Sequence, residues 1–130
     1  MKRFALVVVS VALFGFAGCG GDQSSGNPDE DRIREVMASF SDSISRQEYD
    51  RACSMYVQDT VEFFEAQAQI PGGCEGVMKV TYGSLSNDRL DGLGTTESVE
   101  VDGQRATVEL ENGDSARLRK VAGAWKLSLD

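Results

Sequence analysis

The chain has 130 residues, room for one domain, and carries 21 acidic against 13 basic side chains and no histidine, for a net charge of −8. Without histidine, Ser-His-Asp and Cys-His catalysis and His-based zinc sites are excluded. Without a basic block there is no electrostatic footprint for nucleic acid, and the overall acidity argues against binding anionic lipid through the folded surface.

Lys2 and Arg3 precede an apolar run from Phe4 to Ala17 that only Ser10 and Gly15 interrupt. The run falls short of the roughly 20 apolar residues of a spanning helix and fits the core of a signal peptide. Two small residues, Ala17 and Gly18, then lead into Cys19. The stretch Phe16-Ala17-Gly18-Cys19 resembles a bacterial lipobox, with Phe16 where an aliphatic residue is usual. The resemblance implies that residues 1–18 are a lipoprotein signal peptide and that Cys19 is acylated and becomes the mature N-terminus. It further implies a domain held outside the cytoplasm on the cell membrane by its lipid, palmitate being the expected kind of acyl chain. Each buried methylene contributes about 0.8 kcal/mol, so more than one chain anchors stably and the acidic domain need not bind lipid itself. Loss of Lys2 and Arg3 with the signal lowers the side-chain charge from −8 to −10.

Residues 19–28 read as a flexible tether, with Gly20 to Asn27 too polar and glycine-rich to bury anything. The folded domain is assigned to residues 29–130. Asn27 is a helix cap, Pro28 suits the first helical position, and Asp29 and Glu30 complement the helix N-terminus. Ile33, Val36, Met37, Phe40 and Ile44 then recur at helical spacing as one apolar stripe.

Ser45 and Glu48 have the spacing of a second capping box, with Tyr49, Ala52, Cys53 and Tyr56 on the inner face of the helix behind it. Asp59-Thr60-Val61-Glu62 offers a third start, carrying Val61, Phe64 and Ala68 until Pro71-Gly72-Gly73 breaks the helix. A short helical segment from Cys74 to Tyr82 follows, with Val77 and Met78 turned inward. Cys53 and Cys74 remain as an even pair in an oxidising compartment, for which a disulfide is expected. Closing a loop of about 22 residues contributes roughly 3 kcal/mol in the chain-entropy model. A redox pair is the functional alternative, although such sites typically use a C-x-x-C spacing.

After Asn87 the composition changes. Gly92 and Gly94 are expected to open a loop, and Val99 and Val101 begin an alternation. Asp102-Gly103 and Asn112-Gly113 are hairpin-turn signals. Between them Ala106, Val108 and Leu110 face one way, with Thr107 and Glu109 opposite. Ala116, Leu118 and Val121 carry the next strand, with Arg117 and Arg119 outward. Ala122-Gly123 turns the chain, and Trp125, Leu127 and Leu129 line the last inner face. Arg117, Arg119 and Lys120 read as a solvated strand face. Helices first and an antiparallel meander second make the fold class α+β.

This order resembles the nuclear-transport-factor-2-like superfamily, which includes the SnoaL and ketosteroid-isomerase-like proteins. The resemblance is carried by the helix from Arg32 to Ser43, by EYDRAC at Glu48–Cys53 and by GGC at Gly72–Cys74. The ending VEVDGQRATVELENGD…RLRKVAGAWKLSLD matches the closing hairpins of that superfamily. It implies N-terminal helices packed on a curved antiparallel sheet as a cone. Enzymes of the superfamily work inside the cone with an Asp base, Tyr donors or a His-Asp dyad, and here the dyad cannot exist. Tyr49, Tyr56, Tyr82 and Trp125 are the candidate cavity residues, with helix or core packing as the alternative for Tyr49, Tyr56 and Trp125. Asp50 and Asp59 are the available carboxylates, Asp59 being expected to cap a helix, and no catalytic residue carries over. The expected function is a non-catalytic domain of the cell envelope that binds a small apolar ligand or another envelope protein. The alternative is an isomerase or cyclase acting on an apolar ring compound. No cofactor and no metal is expected, and the sheet is the expected surface for a homodimer.

Overall fold

The computed structural model describes residues 27–130, so the expected signal peptide, Cys19 and most of the expected tether lie outside the described residues. Five helices precede four strands: α1 Pro28–Ser45, α2 Tyr49–Ser54, α3 Gln58–Glu65, α4 Gly73–Tyr82 and α5 Asn87–Gly94. The strands are β1 Thr96–Asp102, β2 Arg105–Leu110, β3 Ser115–Val121 and β4 Ala124–Ser128. They form one antiparallel sheet in the order β1-β2-β3-β4. The fold is α+β, with helices packed against the sheet.

The start of α1 follows its sequence. Asn27 Oδ1 accepts the Asp29 backbone N–H at 3.0 Å, Pro28 opens the helix, and three acidic residues occupy the first turn. Its buried stripe, Ile33, Met37, Phe40 and Ile44, meets the inward residues Val108, Leu118 and Leu127 in one core. Ser41 Oγ donates to the Leu90 carbonyl at 2.6 Å, tying α1 to α5. A Cβ on Gly94 would stand 2.9 Å from Ser41 Cβ, so glycine permits this approach of the two helices.

Several expectations change in the structure. Ser45 does not cap a second helix; it ends α1, and its hydroxyl donates back to the Ser41 carbonyl at 2.9 Å. Packing of Ile44 keeps α1 helical to that point, and α2 starts four residues later with Glu48 as a cap that makes no side-chain bond. Asp59 is not a cap either. The segment before α3 is drawn onto the edge of β4, where Val57 N–H bonds the Leu127 carbonyl at 2.9 Å and Leu127 N–H bonds the Met55 carbonyl at 2.8 Å. Val57 thereby becomes the N-cap, and Asp59 pairs with Arg119 at 2.8 Å. The helix ends at Glu65, which leaves Ala68 exposed in the turn that follows.

The expected loop at Gly92 and Gly94 is helix α5, because both glycines sit where neighbours come close: Ser41 at Gly94 and Asn112 at Gly92, where a Cβ would lie 2.9 Å away. Val121 and Leu129 leave the core, at 42% and 53% exposure. The two-residue period places Val121 with Arg117 and Arg119 on the outer face, and Leu129 lies past the last paired residue of β4.

Cys53 on α2 and Cys74 on α4 form a disulfide with their Cα atoms 6.1 Å apart. It fastens α4, which carries Tyr82, to the body of the domain.

Candidate functional site

Between the end of α4 and the ends of β2, β3 and β4 lies a cavity of about 720 Å3. Its floor is apolar and buried, formed by Met37 and Phe40 of α1, Leu93 of α5, Leu110 of β2 and Leu127 of β4. Tyr56 joins the floor, and half-buried Tyr82 and Leu85 form one wall. The rim carries Thr81, Asp114, Ser115 and Arg117, all exposed. In the sheet register Arg117 stands opposite Thr107 and Ser128, out of phase with the inward Leu118, so its place is on the outer edge of the rim.

Tyr56 is held there by two devices. The parallel bridge from Tyr56 to Leu127 fixes its backbone against the sheet. Edge-to-face contacts fix its ring, 5.7 Å from Phe40 and 5.3 Å from Phe64 between centroids. Tyr82 packs edge-on to the same Phe40 at 5.6 Å. The Tyr56 and Tyr82 rings are thus neighbours across Phe40 in the cavity lining.

Burial first, then the neighbouring Tyr82, pushes the Tyr56 phenol far above its ordinary pKa. Burial also raises Tyr82, as does the Asp114 carboxylate, while the neighbouring Tyr56 hydroxyl works the other way. Both phenols therefore stay protonated around neutral pH. A protonated phenol is an O–H donor, so both can meet an acceptor in the cavity.

Of the four candidate cavity residues, the structure brings Tyr56 and Tyr82 together and leaves Tyr49 and Trp125 elsewhere. Tyr49 is half-buried on α2, with its hydroxyl against Gly83 at the end of α4. Trp125 is 5% exposed and lines a separate groove of about 470 Å3 beside Val36 of α1, Met55 and Lys126. Its indole Nε1 donates to Asp29 Oδ1 at 3.0 Å, the same oxygen that Lys120 Nζ reaches at 3.0 Å. Asp50 is exposed on α2, and Asp59 is engaged with Arg119 outside the cavity. Met37, Phe40 and Leu110 were legible as apolar faces, though nothing in their spacing separates a cavity floor from a filled core. Leu93 was hidden by the loop reading of its segment, and Asp114 by its place behind a turn.

Among the described residues no three His, Cys, Asp or Glu side chains converge as a metal site. None of the described helices is long and apolar enough to cross a membrane. No family model, no curated protein and no solved structure matches this chain.

Proposed function

We propose that the protein is a lipid-anchored domain of the cell envelope, acylated at Cys19, whose nuclear-transport-factor-2-like cone holds a small apolar ligand without transforming it. The cavity carries this reading. Its volume of about 720 Å3 lies within the range of roughly 300–1,000 Å3 usual for small-molecule sites, and its floor is apolar with two phenol hydroxyls at one side. The ligand expected from this lining is uncharged over most of its surface and bears an oxygen acceptor for a tyrosine hydroxyl. Disulfide-fastened α4 keeps one wall of the cavity in place.

A second reading, an isomerase or cyclase acting on an apolar ring compound, has the Tyr56 and Tyr82 pair in its favour. It also needs a carboxylate inside the cavity to take a proton. Asp114 is the carboxylate in the lining, and it is solvent-exposed at the rim, which favours binding over turnover.

The test combines recovery and replacement. Lipidated protein purified from its native envelope and extracted with organic solvent is expected to release a defined apolar compound, identified by mass. The neutral fluorescent probe N-phenyl-1-naphthylamine is expected to bind the emptied protein. Ala116→Phe, which fills the cavity from β3, is expected to abolish that binding, and the milder Ala116→Leu to weaken it. Probe uptake unchanged in both variants, with the fold intact by circular dichroism, removes the reading. For the anchor, Cys19→Ala is expected to move the protein from the membrane to the soluble fraction.

A further inference from the structure

We propose that the anchor and the cavity lie at opposite ends of the domain, so that the β3–β4 hairpin faces the bilayer and the cavity is loaded from the aqueous side. This rests on the reading of Cys19 as the lipid acceptor. Asp29, two residues after the first described residue, is clamped to the hairpin end of the sheet, bonded at 3.0 Å to both Lys120 Nζ at the end of β3 and Trp125 Nε1 at the start of β4. The chain therefore enters the domain at the Val121–Ala124 turn. The cavity lies at the other ends of the same two strands, lined there by Ser115 and Arg117 of β3, by Ser128 at the end of β4 and by Leu129 just beyond it. From Ser115 to Val121 the strand rises about 20 Å.

The length of the tether makes this separation matter. Eight peptide links join Cys19 to Asn27, which limits their separation to at most about 28 Å. The anchored end is thus held nearer the membrane than the cavity, which lies a further strand length away.

Charge acts in the same sense. The hairpin from Arg119 to Lys126 has three cations and no anion, and the acidic first turn of α1 beside it brings that end near neutral. The turn from Glu109 to Asp114 at the cavity end has three anions, of which Arg117 on the rim offsets one. An anionic lipid surface repels the cavity end more strongly than the hairpin end.

The test places one fluorophore at either end of a single strand. Val121→Cys and Ser115→Cys are both exposed positions on the outer face of β3. With Cys53 and Cys74 joined and Cys19 acylated, the introduced thiol is the one that reacts. The lipidated, labelled proteins are placed on vesicles of phosphatidylglycerol and phosphatidylethanolamine carrying an energy acceptor on the lipid headgroup. Transfer is expected to be several-fold greater from position 121 than from position 115. Equal transfer, or greater transfer from position 115, on protein that sediments with the vesicles overturns the orientation and leaves the anchor standing. Protein that stays in the supernatant overturns the anchor and the orientation together.

Discussion

Asp29 and Trp125 stand 96 residues apart, and the indole Nε1 of one donates to the carboxylate of the other at 3.0 Å. Lys120 shares the same oxygen and lies 5.7 Å from the indole centroid, so helix start, cation and ring form one cluster. The bond joins the first turn of α1 to the hairpin that closes the chain.

The indole bond first, and the lysine second, hold the Asp29 carboxyl below the ordinary carboxylate range. A depressed folded pKa means that the native state binds fewer protons than the unfolded chain around and below pH 4. Its stabilisation is therefore complete above that range and lost as the pH falls through the folded value. Asp29→Asn is expected to lower the melting temperature at pH 7 and to flatten its fall between about pH 5 and pH 2. Thermal unfolding followed across pH checks both, and an unaltered slope would show that the cluster contributes nothing to acid stability.

Tyr56 and Tyr82 have the opposite sign. Raised phenol pKa values mean that the unfolded chain loses these protons first as the pH rises past about 10, so stability declines there. Spectrophotometric titration of the native protein near pH 10 is expected to develop less phenolate than the denatured protein. Tyr56→Phe is expected to narrow that gap, and a gap of unchanged size would mean that Tyr56 is not shielded.

The Cys53–Cys74 bond closes a loop with a sequence separation of 21. Its removal in Cys53→Ser/Cys74→Ser is expected to cost about 2–4 kcal/mol, read from denaturant midpoints. Because it fastens α4, the variant is also expected to bind the naphthylamine probe less tightly at temperatures where it remains folded. Equal stability of oxidised protein and double variant would contradict the assigned role.

Gly76 offers a local test of the helix that carries Tyr82. A Cβ there would lie 2.0 Å from the Pro71 carbonyl oxygen, a backbone atom with no side-chain freedom to yield. Gly76→Ala is expected to destabilise by about 1–3 kcal/mol, as overpacking does, against the small gain alanine brings to an open helix position. A neutral or stabilising outcome in chemical denaturation would show that the Pro71 turn moves freely.

Local signals were readable where the physics is local. Asn27-Pro28-Asp29 starts α1 because a cap, a fixed φ and a helix dipole act within one turn. The hairpins follow from glycines whose positive φ is observed at Gly103, Gly113 and Gly123. The two misread caps, Ser45 and Asp59, failed because a capping residue is recognised by short spacing alone. At Ser45 the packed stripe of α1 overrode the spacing; at Asp59 it was a backbone pairing with β4, 70 residues away in sequence. The glycines of α5 misled for a related reason, since their small size serves contacts with Ser41 and Asn112 that no local pattern announces.

The sequence by itself determined the class, helices followed by an antiparallel meander, together with the inward residues of β2 and the pairing of its last two cysteines. The class and the β2 faces follow from periodicity and turn chemistry, and the pairing from the expectation that sets Cys19 apart from Cys53 and Cys74. Only the tertiary structure decided which aromatic side chains share a cavity. Tyr49, Tyr56, Tyr82 and Trp125 look alike as amphipathic rings in a linear chain. Pairing of residues 55–57 with β4 turns Tyr56 onto the cavity floor, whereas the hydrogen bond to Asp29 ties Trp125 to the far end of the sheet. Contacts between distant segments made that division, and they are set by packing geometry that residue spacing does not encode.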